Sequence, residues 1–461
     1  LAQFVTGSWP ELRMKKKPTT GLFLFFFASG FCSLLYQIVW VRLAFASFGI
    51  ITPVLSVVLS VFMLGLALGS WAAGRWVASV TQRWRIPASY LYAAGEGLIG
   101  IGAFAVPRLF ILGEKALLGL GESGSLGYLF VSAIWIAGSV FPWCFLMGAT
   151  FPLMLAFLEE AWGTGNEKIF SFLYQANVLG ALFGILFTAC VFVELVGFRM
   201  TLLIGGLANF SIAAAALRLG LKSTRKWTPQ RPLHQAGYYK RGASLNHILL
   251  FTTGFISMAM EVVWTRAFTP VMGTQVYAFA GLLFVYLLAT WKGTSDYRRQ
   301  VHSGLIKPTH QLVGRLTAFA LLPVVINDPR LNPGLGPNLS VLLVLISIFP
   351  FCACLGYLTP KLIDEYSNGR PAGAGNAYAL NVVGCILGPL FAGYVLLPWI
   401  GARDSMLILG LPILCLHFIA AKGHSVRSRW GVGLSSGLLL MAAWLETVSY
   451  EGLSFDRERA V

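Results

Sequence analysis

The sequence predicts an all-α fold: a polytopic membrane helix bundle of about 12–13 transmembrane helices arranged as two repeated halves. Three observations carry this. The 461 residues are 57% hydrophobic and only 11% charged, against about 25% charged in soluble domains. The mean hydropathy is +0.73, and the apolar runs reach the roughly 20 residues that a bilayer-crossing helix needs. The third observation is a duplication. Gly30-Phe31 to Tyr36-Gln37-Ile38-Val39-Trp40-Val41-Arg42 recurs as Gly254-Phe255 to Met260-Glu261-Val262-Val263-Trp264-Thr265-Arg266. Tyr174, Asn177, Gly180, Gly184 and Gly197-Phe198-Arg199 recur in order as Tyr378, Asn381, Gly384, Gly388 and Gly401-Ala402-Arg403. Ordered matches at similar offsets mark duplicated halves, and such halves form two-fold bundles with a site between them.

The elements follow in order. Residues 1–20 form an N-terminal tail, of which 1–13 read as non-native upstream sequence because Met14-Lys15-Lys16-Lys17 is a natural start. A cleaved signal peptide fits poorly: the apolar run continues to about Trp40 without a small-residue cleavage site. The first membrane half, 21–217, holds spans near 21–45, 51–74, 88–107, 127–158, 169–196 and 200–217. A basic cytoplasmic loop, 218–244, carries Lys222, Arg225, Lys226, Arg231, Lys240 and Arg241 with no acidic residue. The second half, 245–421, has spans near 247–270, 275–291, 312–327, 339–360, 376–400 and 404–421. Residues 422–461 hold a short thirteenth candidate at 431–445 and a tail.

The net charge of +16 resembles a nucleic-acid signature only if its location is ignored. Lys and Arg gather in alternate connections, at Arg75, Arg83 and Arg85, in the basic loop, at Lys292, Arg298 and Arg299, and at Lys422, Arg427 and Arg429. The positive-inside rule makes those connections cytoplasmic, with the N-terminus. The partner is then the lipid bilayer, and no nucleic acid is called for. The connection at 159–168, with Glu159, Glu160 and Glu167, fits less well, but acidic residues weigh little in this rule.

Small residues in the spans predict close helix packing: Gly65, Gly69 and Gly74 in the second span, and Gly180, Gly184, Gly384 and Gly388 at four-residue spacing. Polar residues in the spans are costly in hydrocarbon, about 2.5–3.5 kcal/mol for a central charge, and are functional candidates by default. Gln37, Glu96, Gln175, Asn177, Glu261 and Asn381 form the substrate-binding set on this reading. Arg42, Glu194 and Arg266 lie late in their spans and read as interfacial. Two roles stay open for Glu96 and Glu261, a proton relay or cation partner and a structural hydrogen bond. Gln37 and Glu261 occupy matching repeat positions, so a pseudo-two-fold axis would direct both to one central region.

No catalytic constellation is present. Gly119-Leu120-Gly121-Glu122-Ser123-Gly124 matches a dinucleotide fingerprint in letters only, because it joins two apolar spans. The chain has no phosphate-binding P-loop and no nucleophile elbow. Its six histidines and seven cysteines lack metal-ligand spacing, and the cysteines read as small buried hydrophobes. No cofactor and no metal are expected.

The run Tyr36 to Arg42, then Gly65 to Arg75, then Met260 to Arg266, then Tyr378 to Gly388 resembles the membrane part of bacterial fused major-facilitator-like/spermidine synthase-like proteins. The resemblance covers nearly all of 21–421. It implies an MFS-like fold in the bacterial inner membrane and transport of a polyamine or other small cation, with Glu96 and Glu261 as cation partners. In that family an aminopropyltransferase domain follows the membrane region; its nucleotide-binding and polyamine-holding residues have no counterpart here. Two readings are open, a membrane-only member and a truncated product of a longer gene. The alternatives in function are a part of a polyamine-synthesising fusion without its catalytic domain, and a membrane scaffold that moves nothing. The second half departs from the pattern in one respect: the Gly-rich face of 65–74 is replaced by Leu282 to Thr290. The oligomeric state is not legible.

Overall fold

The computed structural model describes residues 19–119, 125–162, 167–222, 243–272, 275–326, 337–367 and 371–421, with Gly437 and Met441. All of the regular structure among them is helical. In hydrocarbon every backbone N–H and C=O must be satisfied inside the chain, and a helix does this within each span. The first half comprises α1 (Thr19–Phe48), α2 (Thr52–Trp84), α3 (Ala88–Gly119), α4 (Ser125–Trp162), α5 (Glu167–Phe187) and α6 (Val193–Lys222). The second comprises α7 (Ala243–Met272), α8 (Gln275–Ser303), α9 (Thr309–Ile326), α10 (Pro337–Ser367), α11 (Pro371–Phe391) and α12 (Leu397–Ala420). Nine described segments are long and apolar enough to cross a membrane. Two of these, Ala176–Gly220 and Ala377–Ala420, each contain two helices. The candidate span at 431–445 apart from Gly437 and Met441, the basic loop from 223 to 242 and residues 1–18 lie outside the described residues.

Several helices outrun the predicted spans. α2 continues through Arg75 and Arg83 to Trp84, and α8 through Lys292, Arg298 and Arg299 to Ser303. These basic residues therefore sit on helical extensions and not in loops. Nothing in either stretch breaks a helix until Arg85 adopts left-handed geometry (φ 52°) ahead of Pro87, and Gly304 (φ 70°) ends α8. The 197–199 and 400–403 connections are sharp bends at a glycine, where one helix gives way to the next. A five-residue π-turn, Thr188–Phe192 or Ala392–Leu396, follows α5 and α11. Five residues beyond each turn the chain bends at Gly197 (φ 75°) or Gly401 (φ 71°), in the left-handed region that glycine enters without steric penalty.

The halves are built alike. α1 packs on α5, α2 on α4 and α3 on α6; α7 packs on α11, α8 on α10 and α9 on α12. Between the halves, α2 meets α11 and α5 meets α8, which is the pattern of a two-fold axis along the bundle. The α1–α5 contact explains the duplicated sequence motifs. A side chain on Gly180 or Gly184 would strike the backbone of Phe27 or Phe31, and one on Gly384 or Gly388 that of Phe251 or Phe255. Gly30 closes on Asn177 and Gly254 on Asn381 in the same way. Gly65 and Gly69 approach Cys144 and Phe145 of α4. Gly74 departs from the packing expectation: it is exposed, and a side chain there would meet nothing within 4 Å.

The replaced glycine face of the second half has its own substitute. Gly293 of α8 lies against Ala353 of α10, and Gly356 of α10 against Thr290 of α8. Gly293 is the repeat position of Gly69. A further repeat is visible in α4 and α10, where Pro142, Cys144, Gly148 and Pro152 recur at the same spacing as Pro350, Cys352, Gly356 and Pro360.

Candidate functional site

The polar residues expected to form one site are separated by the fold. Glu96, fully buried in the first third of α3, accepts hydrogen bonds from Ser29 Oγ of α1 (2.9 Å) and Asn209 Nδ2 of α6 (2.6 Å). Asn209 Oδ1 in turn accepts from Tyr36 Oη of α1 at 2.7 Å. Tyr92, one turn before Glu96, turns its hydroxyl toward the carboxylate without completing a bond of good geometry. Every member of this chain belongs to the first half, so the carboxylate is held between α1, α3 and α6. A carboxylate needs such donors in a low-dielectric interior, and hydrogen bonds to a charged group are worth about 1.5–3 kcal/mol each.

Asn381, 8% exposed, is also committed within its own half. Its Nδ2 donates to Leu250 O of α7 (2.8 Å) and lies 3.3 Å from Thr253 Oγ1. Asn177 packs against Gly30 at the equivalent α1–α5 contact. The Gln175 side chain lies outside the described residues. Gln37 is 2% exposed on α1, and α1 and α7 are not among the packed helix pairs of the described residues. Gln37 and Glu261 thus occupy matching places on helices that do not touch closely.

Glu261 is different. It is 2% exposed in the middle of α7, and its Oε1 is buried with no hydrogen-bond partner. Tyr286 of α8, Cys352 of α10 and Cys385 of α11 lie within electrostatic reach of it, and no basic side chain shares an ion pair with it among the described residues. Tyr286 Oη is itself engaged with Ser257 Oγ of α7 at 2.9 Å. One turn along α7, the Trp264 indole N–H is also buried without a partner, and so is that of Trp40 at the repeat position. Trp264 packs edge-on against Phe351 of α10 with ring centroids 5.3 Å apart. A buried acceptor and a buried donor left open on adjacent turns can be met by a ligand, a proton or water that the bundle admits.

A second group escaped sequence reasoning as a cluster. Arg42, at the end of α1, forms an ion pair with Glu194 (3.8 Å) and lies over the rings of Phe198 (5.4 Å) and Tyr277 (5.1 Å). Tyr277, the third residue of α8, also donates its hydroxyl to Glu194. The cluster therefore joins the two halves. The partner from α8 carried no signal in the sequence, since Tyr277 is an aromatic residue at the start of an apolar run. Arg266, the repeat counterpart of Arg42, is exposed. No group of three metal-ligating side chains occurs among the described residues.

No family model matches the sequence, and no curated protein matches it. Solved structures do match in fold. The nucleoside transporter NupG superposes with a TM-score of 0.56 at 14% identity, covering 87% of this chain and 98% of that one. A POT family transporter in complex with 5-aminolevulinic acid gives 0.57 at 13% identity, over 87% and 95%. A bacterial homologue of the human lysosomal transporter Spinster, in an inward-facing and unoccupied conformation, gives 0.54 at 13% identity, over 93% and 96%. The chain shares the helix-bundle fold of these structures, and its long apolar helices make it multi-pass. Identities this low carry the fold and nothing finer.

Proposed function

We propose that this chain is a transporter of a small organic or inorganic cation, working between its two halves with Glu261 as the carboxylate that meets the cation or its coupling proton. The observation that carries the reading is the buried Glu261 Oε1 without a partner, whereas Glu96, the other buried carboxylate among the described residues, is bonded at both oxygens. An intramembrane carboxylate left open is expensive unless something visits it. Polyamines are the substrate class indicated by the sequence resemblance, and Gln37, at the repeat position of Glu261, is the polar group that would face it from the first half. The basic residues on the α2 and α8 extensions support a cytoplasmic N-terminus and a bacterial inner membrane location. With that orientation, the end at which α1 passes into α2 is external.

Uptake by proteoliposomes tests the reading, with labelled spermidine, putrescine and a monovalent organic cation offered in turn, with and without a pH gradient. Wild-type protein is expected to concentrate at least one of them, and Glu261→Gln to lose at least about tenfold of that rate. Absence of substrate-dependent flux from both proteins would favour a scaffold. Full flux from Glu261→Gln would remove Glu261 from the site, and aminopropyl transfer by the purified chain would restore the enzyme reading.

A further inference from the structure

The two π-turns stand at matching repeat positions, 188–192 and 392–396, and each precedes a glycine bend by the same number of residues. π-turns interrupt the regular hydrogen-bond ladder and recur at functional positions in helices. Both segments lie at the end of the bundle where α1 passes into α2, and both reach the opposite half. Two residues past the first turn, Glu194 takes the hydroxyl of Tyr277 from α8 and pairs with Arg42. Inside the second turn, Gly393 lies so close to Ser56 and Thr52 of α2 that a side chain there would collide with Ser56. Ser60 of α2 adds a hydrogen bond to Ile386 O of α11 at 2.8 Å. The hydrogen bonds that Tyr277 and Ser60 make across the halves both lie toward this end. At the other end, Phe26, Tyr92, Met154, Phe157 and Ile212 form a separate core cluster made only of first-half residues.

We infer that the two π-turn segments are a paired latch that closes this end of the space between the halves, one side polar through Arg42, Glu194 and Tyr277, the other close-packed through Gly393 and Ser56. Opening requires both sides to part, and the π-turn followed by a glycine supplies each half with a place to bend. The polar side tolerates separation, because its charged groups regain water at the membrane surface. The packed side depends on the absence of a side chain at Gly393. The latch serves the transport reading above, but its own test needs no substrate.

Spin labels on Leu126→Cys and Leu339→Cys report the separation, since both residues are exposed at the starts of α4 and α10. The full chain is placed in lipid nanodiscs with Cys190, Cys385 and Cys415 changed to alanine. Tyr277→Ala and Gly393→Leu are each expected to move the distance distribution outward by roughly 5 Å, the scale of a one-turn displacement. Gly138→Leu, on an exposed face with open space, is expected to leave it unchanged. Should Gly393→Leu fail to give a monodisperse protein, Gly393→Ala takes its place with a smaller shift in the same direction. A distribution that moves with only one of the two latch variants overturns the paired latch, and so does an equal shift from Gly138→Leu. A chain that transports nothing while showing both shifts would sink the transport reading and leave the latch standing.

Discussion

Among the described residues each half of the bundle buries one carboxylate, and the two are treated in opposite ways. In the first half, the space between α1, α3 and α6 is filled by Tyr36, Asn209, Glu96 and Ser29 in one connected chain. In the second half, the corresponding space between α7, α9 and α12 is lined mainly by apolar side chains, with Thr252 and Thr253 as its polar members. Thr253 stands at the repeat position of Ser29, Met260 at that of Tyr36 and Ile413 at that of Asn209. Val313 and Leu316 of α9 face them, and a small apolar void of about 10 Å³ remains. The second-half carboxylate has moved to α7 as Glu261, toward α8, α10 and α11, where its Oε1 lacks a partner. Duplication preserved the helix packing and let the polar interior diverge. A satisfied buried network rigidifies its half, whereas an unsatisfied group is tolerated where function uses it.

The comparison breaks if the two carboxylates answer mutation alike. The largest contrast is expected at Glu261. Glu261→Gln should abolish most uptake while raising the thermal midpoint of the detergent-solubilised protein, because it removes a buried ionisable group whose Oε1 has no partner. A lowered midpoint with unchanged uptake would make Glu261 a structural residue. Glu96→Ala should do the reverse. It strips the acceptor from Ser29 and Asn209 together, a loss of about 3 kcal/mol in stability from two orphaned buried donors. Uptake per folded molecule should hold within about twofold. A stable Glu96→Ala protein without flux would move the site to the first half.

Much of the architecture was legible before the structure. The apolar runs became helices, since a bilayer leaves the backbone no other way to satisfy its hydrogen bonds; α8, with its basic extension, is not among the nine described segments apolar enough to cross. The duplicated glycines at 180, 184, 384 and 388 were legible as close packing, and their partners in α1 and α7 follow from the same motifs. The candidate site was less legible, because a polar letter in a span does not say which neighbour it faces. Asn177 and Asn381 repeat for the sake of the α1–α5 and α7–α11 contacts, so repetition marked packing more than binding. Asn209, the bridge between Tyr36 and Glu96, was missed although it too is polar within a span. The Pro-x-Cys spacing shared by α4 and α10 was a signal available in the letters, and it would have extended the repeat to a third helix pair. The π-turns could not be read, since no residue type dictates an i→i+5 bond.

A medium effect sharpens the contrast between the two interhelical spaces. Ile413→Asn places the first half's polar residue where Asn209 would stand, among Val313, Leu316 and Phe351. With no carboxylate to receive its amide, it should destabilise by about 2 kcal/mol. Restoring a partner through Leu316→Glu in the same molecule should recover part of that loss if the spaces are equivalent. Further loss from the double variant would show that the halves have diverged in backbone spacing as well as in side chains.

The smallest effect comes from the end of the first-half chain. Tyr36 donates to Asn209 Oδ1 at 2.7 Å while its ring stacks on Trp40 at 5.2 Å. Tyr36→Phe keeps the ring and removes only the hydroxyl, so the stability lost should be about 1 kcal/mol, the net worth of one buried hydrogen bond. Paired with Asn209→Ala in a double-mutant cycle, it also reads the coupling within the network. If Tyr36, Asn209 and Glu96 act as one unit, Tyr36→Phe will cost less in the Asn209→Ala background than in the wild type, because its acceptor has already gone. Equal costs in the two backgrounds would mean that the hydroxyl stabilises the helix pair independently of Glu96. The first half would then hold its carboxylate through Ser29 and Asn209 alone, and the distance between the two halves in polar organisation would shrink by one link.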